Sequence, residues 1–242
     1  MKIKLYCFPY AGGSAAVYMK WKNYLNDVIE LRPVELAGRG LRCKDSLYIN
    51  MSDMVDDVYN EIHDELDSMP YAFFGHSMGS LIAYETYYRI KEEKQSLPMH
   101  IFFSGHRPPD QLNNHKKLSQ LNDHDFKKEI LMIGGTPKEL FDYPELVDFY
   151  LPMLRADYEV VDTYSYRERV EKIKCSISIL NGKYDTDELC DIGEWRKHTS
   201  HDCKEYVFDG GHFYINDYGN DIGSIINSSL TDINLHNMVV GS

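Results

Sequence analysis

The sequence predicts an α/β fold: a mainly parallel, doubly wound sheet with helices on both faces and a helical lid insertion. Three observations predict it. Short apolar runs that read as buried strands alternate with longer stretches of helical period, the signature of βαβ units. The strand signal then lapses from about residue 108 to 166, where the remaining periodicity is helical. Between these, FFGHSMGS (Phe73–Ser80) sets a serine between two glycines where a strand should turn into a helix.

Ile3–Phe8 (IKLYCF) is apolar and aromatic and stops at Pro9, as a buried strand would. Leu31–Leu36 (LRPVEL) reads as a second strand, which Pro33 confines to an edge or an irregular position. Met54, Val55, Val58, Ile62 and Leu66 recur at helical spacing within Met51–Met69, with Ser52 placed to cap that helix. Tyr71–Gly75 follows as a strand and Met78–Ile90 as a helix. His100–Ser104, Ser176–Leu180 and Lys204–Phe208 are further buried strands. Inside the insertion, Asp123–Ile133, Lys138–Phe141 and Pro144–Tyr164 read as helical. So long a stretch between two strands is rarely structureless, and such insertions serve as lids or binding elements. No repeat or linker interrupts the chain, so one domain over 1–242 is expected.

Composition narrows the function. With 43% hydrophobic and 26% charged residues among 242, the chain is an ordinary soluble globular protein. A net charge of −12 without a basic run argues against nucleic acid as a partner. Pro9, Gly12 and Gly13 break the N-terminal apolar run, which makes a poor signal peptide, and no run is long enough to span a bilayer. The five cysteines (Cys7, Cys43, Cys175, Cys190 and Cys203) are scattered and odd in number, with no C-x-x-C pair. That argues against a disulfide framework and a zinc site, and for a reduced, cytoplasmic setting.

Ser77 falls on the predicted strand-to-helix turn, the context in which G-x-S-x-G becomes a nucleophile elbow. A serine hydroxyl needs a base to take its proton, and the base needs an acid to orient it. Hydrolases of this kind order them Ser, Asp/Glu, His along the chain. Downstream, NGKYDTDE and FDGGHF follow late strands, where active-site loops belong. His212 is the expected base, with Gly210 and Gly211 giving it room; His106 is the nearest rival. His76 should point into the sheet face, His100 should be structural, and His63, His115, His124, His198, His201 and His236 read as solvated surface. Asp185 is the expected acid and Asp187 the fallback. For the oxyanion, Met78 offers one amide, and Ala11 or Tyr10 in FPYAGGS the second.

FPYAGGS, PVELAGRG, FFGHSMGS, FFSGHRPP, IGGTPKEL, LPMLRADY, NGKYD and FDGGHF, in that order, resemble the type II thioesterases of non-ribosomal peptide and polyketide pathways. The likeness runs from about Leu5 to Phe213. It implies an α/β-hydrolase fold with a mobile lid, and hydrolysis of misprimed or stalled acyl groups from the phosphopantetheine thiol of carrier proteins. The family's nucleophile, acid and base map onto Ser77, Asp185 and His212, and its oxyanion donors onto Met78 and Ala11. Ser80 departs from the glycine or alanine common after that motif, and the tail Leu235–Ser242 has no counterpart in it.

The resemblance implies no metal and no organic cofactor, since the pantetheine arm arrives with the substrate. It implies transient partnership with acyl or peptidyl carrier domains, no membrane, and compatibility with a monomer. Acidic carriers would be repelled by a −12 enzyme, so docking is expected on apolar contacts and on Arg39, Arg42, Lys44, Arg107, Lys116 and Lys117. Leu131, Met132, Ile133, Leu140, Phe141, Phe149, Leu151 and Met153 are the lid residues available to line an acyl pocket, with half or more of them expected to be core. The competing readings are a carboxylesterase or lipase with the same triad, a chain-releasing domain of a synthase, and a non-catalytic binding module with a damaged triad.

Overall fold

A computed structural model describes residues 2–112, 117–185 and 192–240, with the backbone alone at 192 and 232–240. Its elements are β1 (Ile3–Phe8), β2 (Ile29–Pro33), α1 (Met51–Ile62), β3 (Tyr71–His76), α2 (Met78–Glu92), β4 (His100–Ser104), α3 (Asp123–Ile133), α4 (Pro144–Asp162), β5 (Ser176–Gly182), β6 (Cys203–Phe208) and α5 (Gly219–Val240). The six strands form one sheet in the order β2-β1-β3-β4-β5-β6, and every pair is parallel.

Strand alternation divides the core into two layers. Ile3, Leu5 and Cys7 of β1 face Ile222, Ile226 and Leu230 of α5, together with Tyr18 and Trp21. Tyr6 and Phe8 point the other way, into the cluster that holds Met54 and Val58 of α1 and Leu81 and Ile82 of α2. With both faces covered, the central strands are mainly apolar, and β3 and β4 are buried at every position.

The differences from the sequence reading have local causes. The second strand starts at Ile29 and ends at Pro33, on the sheet edge, where a missing N–H breaks no interior ladder. The α1 helix is capped by Asn50, whose side chain accepts the Asp53 N–H (2.9 Å), rather than by exposed Ser52. It gives way after Ile62 to a 3-10 turn at His63–Glu65. Helix α5 has no counterpart in that reading. Its glycines, serines and asparagines are weak helix formers, and they mask the apolar stripe of Ile222, Ile225, Ile226 and Leu230. Residues Leu235–Val240 continue it, whereas Gly241 and Ser242 lie outside the described residues.

Between β4 and β5 the helical segments run from Pro109 to Asp162. They carry their own small core of Leu118, Phe126, Ile130, Leu151 and Leu154, which also packs on Ala11. Of the residues expected to line a pocket, Leu151 and Met153 are buried, while Leu131, Met132 and Phe149 are exposed.

Candidate active site

Chain order reverses at the centre of the sheet: β1 is followed by its neighbour on one side, and β3 adds on the other. The crevice beyond the carboxyl ends of β1 and β3 is where ligands bind in such sheets. The loops Pro9–Ser14 and the Ser77 turn both open there.

Ser77 sits at φ 54°, ψ −123°, left-handed backbone that a non-glycine residue adopts only under constraint. The constraint is visible. Its N–H donates to the Ser104 carbonyl (2.8 Å) on β4, and its carbonyl accepts the Ser80 N–H (2.8 Å). The flanking glycines are needed for close approach: a Cβ on Gly75 would overlap the Gly79 carbonyl, and one on Gly79 would overlap the Phe8 carbonyl. Backbone meets backbone at both points, so no side-chain rotation could relieve the clash.

The sequence reading passed over Ser80 as a tolerable departure, yet its hydroxyl lies under the elbow. Fully buried, Ser80 Oγ lies 2.8 Å from the Gly75 carbonyl and 3.0 Å from the Ser104 carbonyl, and accepts the Ser104 N–H (3.1 Å). A small polar residue in the first turn of a helix was the available signal.

His212 and Asp185 are brought together as expected. The imidazole Nδ1 donates to Asp185 Oδ2 at 2.7 Å, and the carboxyl side chain is 3% exposed. That bond fixes the tautomer and makes Nε2 the acceptor nitrogen. The His212 ring lies 5.1 Å from that of His76, the residue before Ser77, and a Cβ on Gly105 would stand 3.5 Å from His212 Cε1. Since Gly105 follows the Ser104 that accepts the Ser77 amide, elbow and imidazole share one end of the sheet. Asp187 lies outside the described residues.

The room for this approach comes from an unexpected glycine. A Cβ on Gly182, at the end of β5, would overlap the carbonyls of Gly210 and Gly211, whereas one on Gly211 would meet nothing within 4 Å. The Asp185 loop and the His212 loop are therefore pressed together at Gly182, and Tyr184 N–H donates to Gly210 O (3.0 Å) across them.

The remaining described histidines are accounted for. His76 is fully buried, its Nδ1 2.8 Å from Ser104 Oγ, which is in turn 2.6 Å from Tyr214 OH. Burial, reinforced by the neighbouring His212 and His106, pushes its pKa well below the usual imidazole value. His106, the rival base, donates Nδ1–H to the Arg107 carbonyl (2.6 Å). His100 is structural, with Nε2 2.9 Å from Ser178 Oγ. His198 corrects the surface reading: it is buried against Tyr84 and Trp195, with Nε2 3.0 Å from Asp110 Oδ1. Half-buried His63 and exposed His124 and His201 match expectation more nearly, while His115 and the His236 side chain lie outside the described residues.

The segments that carry the oxyanion candidates meet at one turn. Met78 is the first residue of α2, so its amide has no acceptor within the helix and faces the helix N-terminus. Phe8 O against Gly79 brings the Pro9–Ser14 loop to that same turn, and Gly13 N–H closes on Tyr10 O (2.8 Å) with Ala11 between. Of the proposed docking charges, one proves to be internal and a second is already paired. Arg39 is 2% exposed and paired with Asp157, and half-buried Arg42 is held by Asp57 (2.7 Å) and Asp45 (2.8 Å). Lys44 and Lys117 are exposed and Arg107 is half-buried; Lys116 lies outside the described residues. A groove of about 450 Å³ between α1, α2 and residues 163–169 holds none of the candidate site residues, and its Arg89 and Arg169 are already paired, with Asp56 and Glu85.

A parallel sheet with this elbow and these carboxyl-end loops defines an α/β-hydrolase. The chain belongs to the thioesterase family, as the Thioesterase domain profile matches residues 3–230, and it is a hydrolase acting on thioesters. One relative, the linear gramicidin dehydrogenase LgrE of Brevibacillus parabrevis, is 34% identical over 95% of this chain and 88% of its own length. The oxidoreductase word in that name has no counterpart in the family description. Among solved structures, ClbQ from the colibactin NRPS/PKS pathway superposes with a TM-score of 0.92 at 34% identity, covering 97% of this chain and 99% of ClbQ. BorB, a type II thioesterase from the borrelidin biosynthetic cluster, gives 0.85 at 28% identity, covering 95% and 93%. The resemblance carried by the eight motifs is borne out.

Proposed function

We propose that the protein is a free-standing type II thioesterase that hydrolyses acyl groups from the phosphopantetheine arm of carrier proteins, clearing misprimed or stalled chains. One observation carries it: a strained serine elbow beside a histidine bonded at 2.7 Å to a buried aspartate, in a chain that is 34% identical to ClbQ over nearly its full length.

The geometry supports the following chemistry. Nε2 of His212 takes the Ser77 proton as Oγ attacks the thioester carbonyl, and the tetrahedral oxyanion is met by the amides of Met78 and Ala11. His212 returns the proton to the departing thiol, then activates the water that releases the free acid. Asp185 keeps the imidazole in the useful tautomer and balances the cation that forms. No metal or organic cofactor takes part, because the pantetheine thiol belongs to the substrate. The carrier binds transiently, and the location is cytoplasmic with the synthases it serves; no helix among the described residues is long and apolar enough to cross a membrane.

The test is the intact mass of an acetyl-loaded carrier protein followed over time with wild type and Ser77→Ala, beside a p-nitrophenyl ester. The acetyl mass should disappear with wild type alone, and at far higher efficiency than ester cleavage. Fast ester cleavage with an untouched carrier would reassign the protein as a general esterase. Inactivity on both would make it a binding module.

A further inference from the structure

Arg39 and Asp157 form an ion pair at the heart of the molecule, the two side chains being 3% and 2% exposed. The contact is bidentate: Nη1 to Oδ2 and Nη2 to Oδ1, both 2.7 Å. Removing two charges from water costs more than such a pair usually returns, so a buried pair is a poor device for stability alone. Its remaining hydrogen bonds point elsewhere. Asp157 Oδ2 accepts the Gly12 N–H (2.7 Å), Arg39 Nη1 donates to Gly13 O (3.0 Å), and Arg39 Nε donates to Ala37 O (3.3 Å). Both ions therefore grip the turn that carries the Ala11 amide.

The grip comes from the insertion. Asp157 lies on α4, and Tyr150 and Leu154, seven and three residues earlier on the same face, close on Gly12. Gly12 has φ +77°, and a Cβ there would stand 2.5 Å from Tyr150 OH and 2.7 Å from Leu154 Cδ1. Tyr150 OH is tied to Thr136 Oγ1 (3.1 Å) on the preceding loop. Helix α4 thus has one seat on the Tyr10–Gly13 turn, and Arg39, reaching in from beyond β2, locks it.

We propose that Arg39 and Asp157 are positioning residues that couple the seating of helix α4 to the placement of the Ala11 amide, so that the insertion, once docked, completes the oxyanion site. The inference rests on the thioesterase reading and on Ala11 as a donor. It assigns the ion pair to transition-state stabilisation rather than to carrier docking, acyl binding or bulk stability.

Two double variants and one single variant test it, with an acyl-N-acetylcysteamine thioester as substrate. R39M/D157M replaces the ions by apolar chains, which preserves packing but leaves the turn untethered. R39Q/D157N is neutral yet keeps a donor for Gly13 O and an acceptor for Gly12 N–H. D157E keeps the charge and displaces the carboxylate by one methylene. Losing one oxyanion donor lowers kcat by on the order of 10²-fold. The expected result is a fall of that order in R39M/D157M at nearly unchanged KM and melting temperature, with most of kcat recovered in R39Q/D157N. D157E should lose kcat in the same way, and it decides the matter if the apolar pair does not fold. Wild-type kcat in the folded R39M/D157M or D157E proteins would overturn the proposal, as would a kcat that follows melting temperature across all three. Wild type and Ser77→Ala, assayed alongside, keep the two levels separate: if wild type leaves the thioester intact, it is the underlying reading that fails.

Discussion

Gly182 shows how much a single position can carry. Its missing Cβ lets the Asp185 loop lie against the Gly210 and Gly211 carbonyls, and the 2.7 Å bond between Asp185 and His212 spans that seam. Gly182→Ala should push the two loops apart, costing about 1–3 kcal/mol by overpacking. It should also lower kcat by on the order of ten- to a hundredfold through misplacement of the imidazole. Gly211→Ala points its new methyl into open space and should stay within about twofold of wild type in kcat, its cost in stability within about 0.5 kcal/mol. Steady-state kinetics and urea denaturation of the two variants make the comparison, and equal behaviour would refute the seam. The sequence placed Ser77, Asp185 and His212 correctly in their loops, because each follows a recognisable strand. It credited Gly210 and Gly211 with making room: a Cβ on Gly210 would indeed stand 2.9 Å from Tyr214 Cβ, but Gly211 is open, and Gly182 went unnoticed because contact between two loops leaves no trace in local spacing. Ser80 was missed likewise: its partners Gly75 and Ser104 belong to different strands.

At the scale of the element, the start of α1 separates pattern from geometry. Ser52 has the right chemistry for a cap, but the chain enters the helix two residues earlier, and Asn50 accepts the Asp53 amide while its Nδ2 donates to Asp53 Oδ2 (2.8 Å). Asn50→Ala should therefore cost about 1 kcal/mol of unfolding free energy, and Ser52→Ala should change it by less than about 0.5 kcal/mol. Urea titrations of both decide it; the reverse order would restore Ser52 as the cap. The insertion shows the same limit. Its helices were legible from period alone, α3 at Asp123–Ile133 to the residue. Which face of each meets the body was not. Arg39, read as a docking charge because it is polar and near the predicted loops, is buried, and only its pairing with Asp157 makes that burial tolerable.

For the whole molecule, two buried neutral imidazoles couple stability to pH. Burial, with Lys204 adding to it, lowers the His100 pKa to about 3, and burial drives that of His76 well down as well. In the unfolded chain both titrate near 6.5. Below that pH the unfolded state binds protons that the native state refuses, so stability is complete above about pH 6.5 and declines as pH falls toward 3. The slope is at most about 1.4 kcal/mol per pH unit for each imidazole. The urea midpoint should therefore drop between pH 7 and pH 5, and His100→Gln should flatten that drop by one imidazole's share. Parallel pH dependences for wild type and variant would exclude His100 from the effect.

Local signals in the chain set out the six strands, helices α1 and α2, the helices of the insertion, the elbow at Ser77, the loops bearing Asp185 and His212, and the family. These depend on period, on punctuation by glycine and proline, and on short motifs, all of which are local in the chain. Which polar residues are buried, which glycines let backbones touch, and how the insertion sits on the Tyr10–Gly13 turn became visible with the folded chain. Each of those depends on contacts between segments far apart in sequence: 118 residues separate Arg39 from Asp157, and 27 separate Asp185 from His212. The physical reason is that burial and close approach are properties of pairs of surfaces, and one segment's sequence specifies only its own.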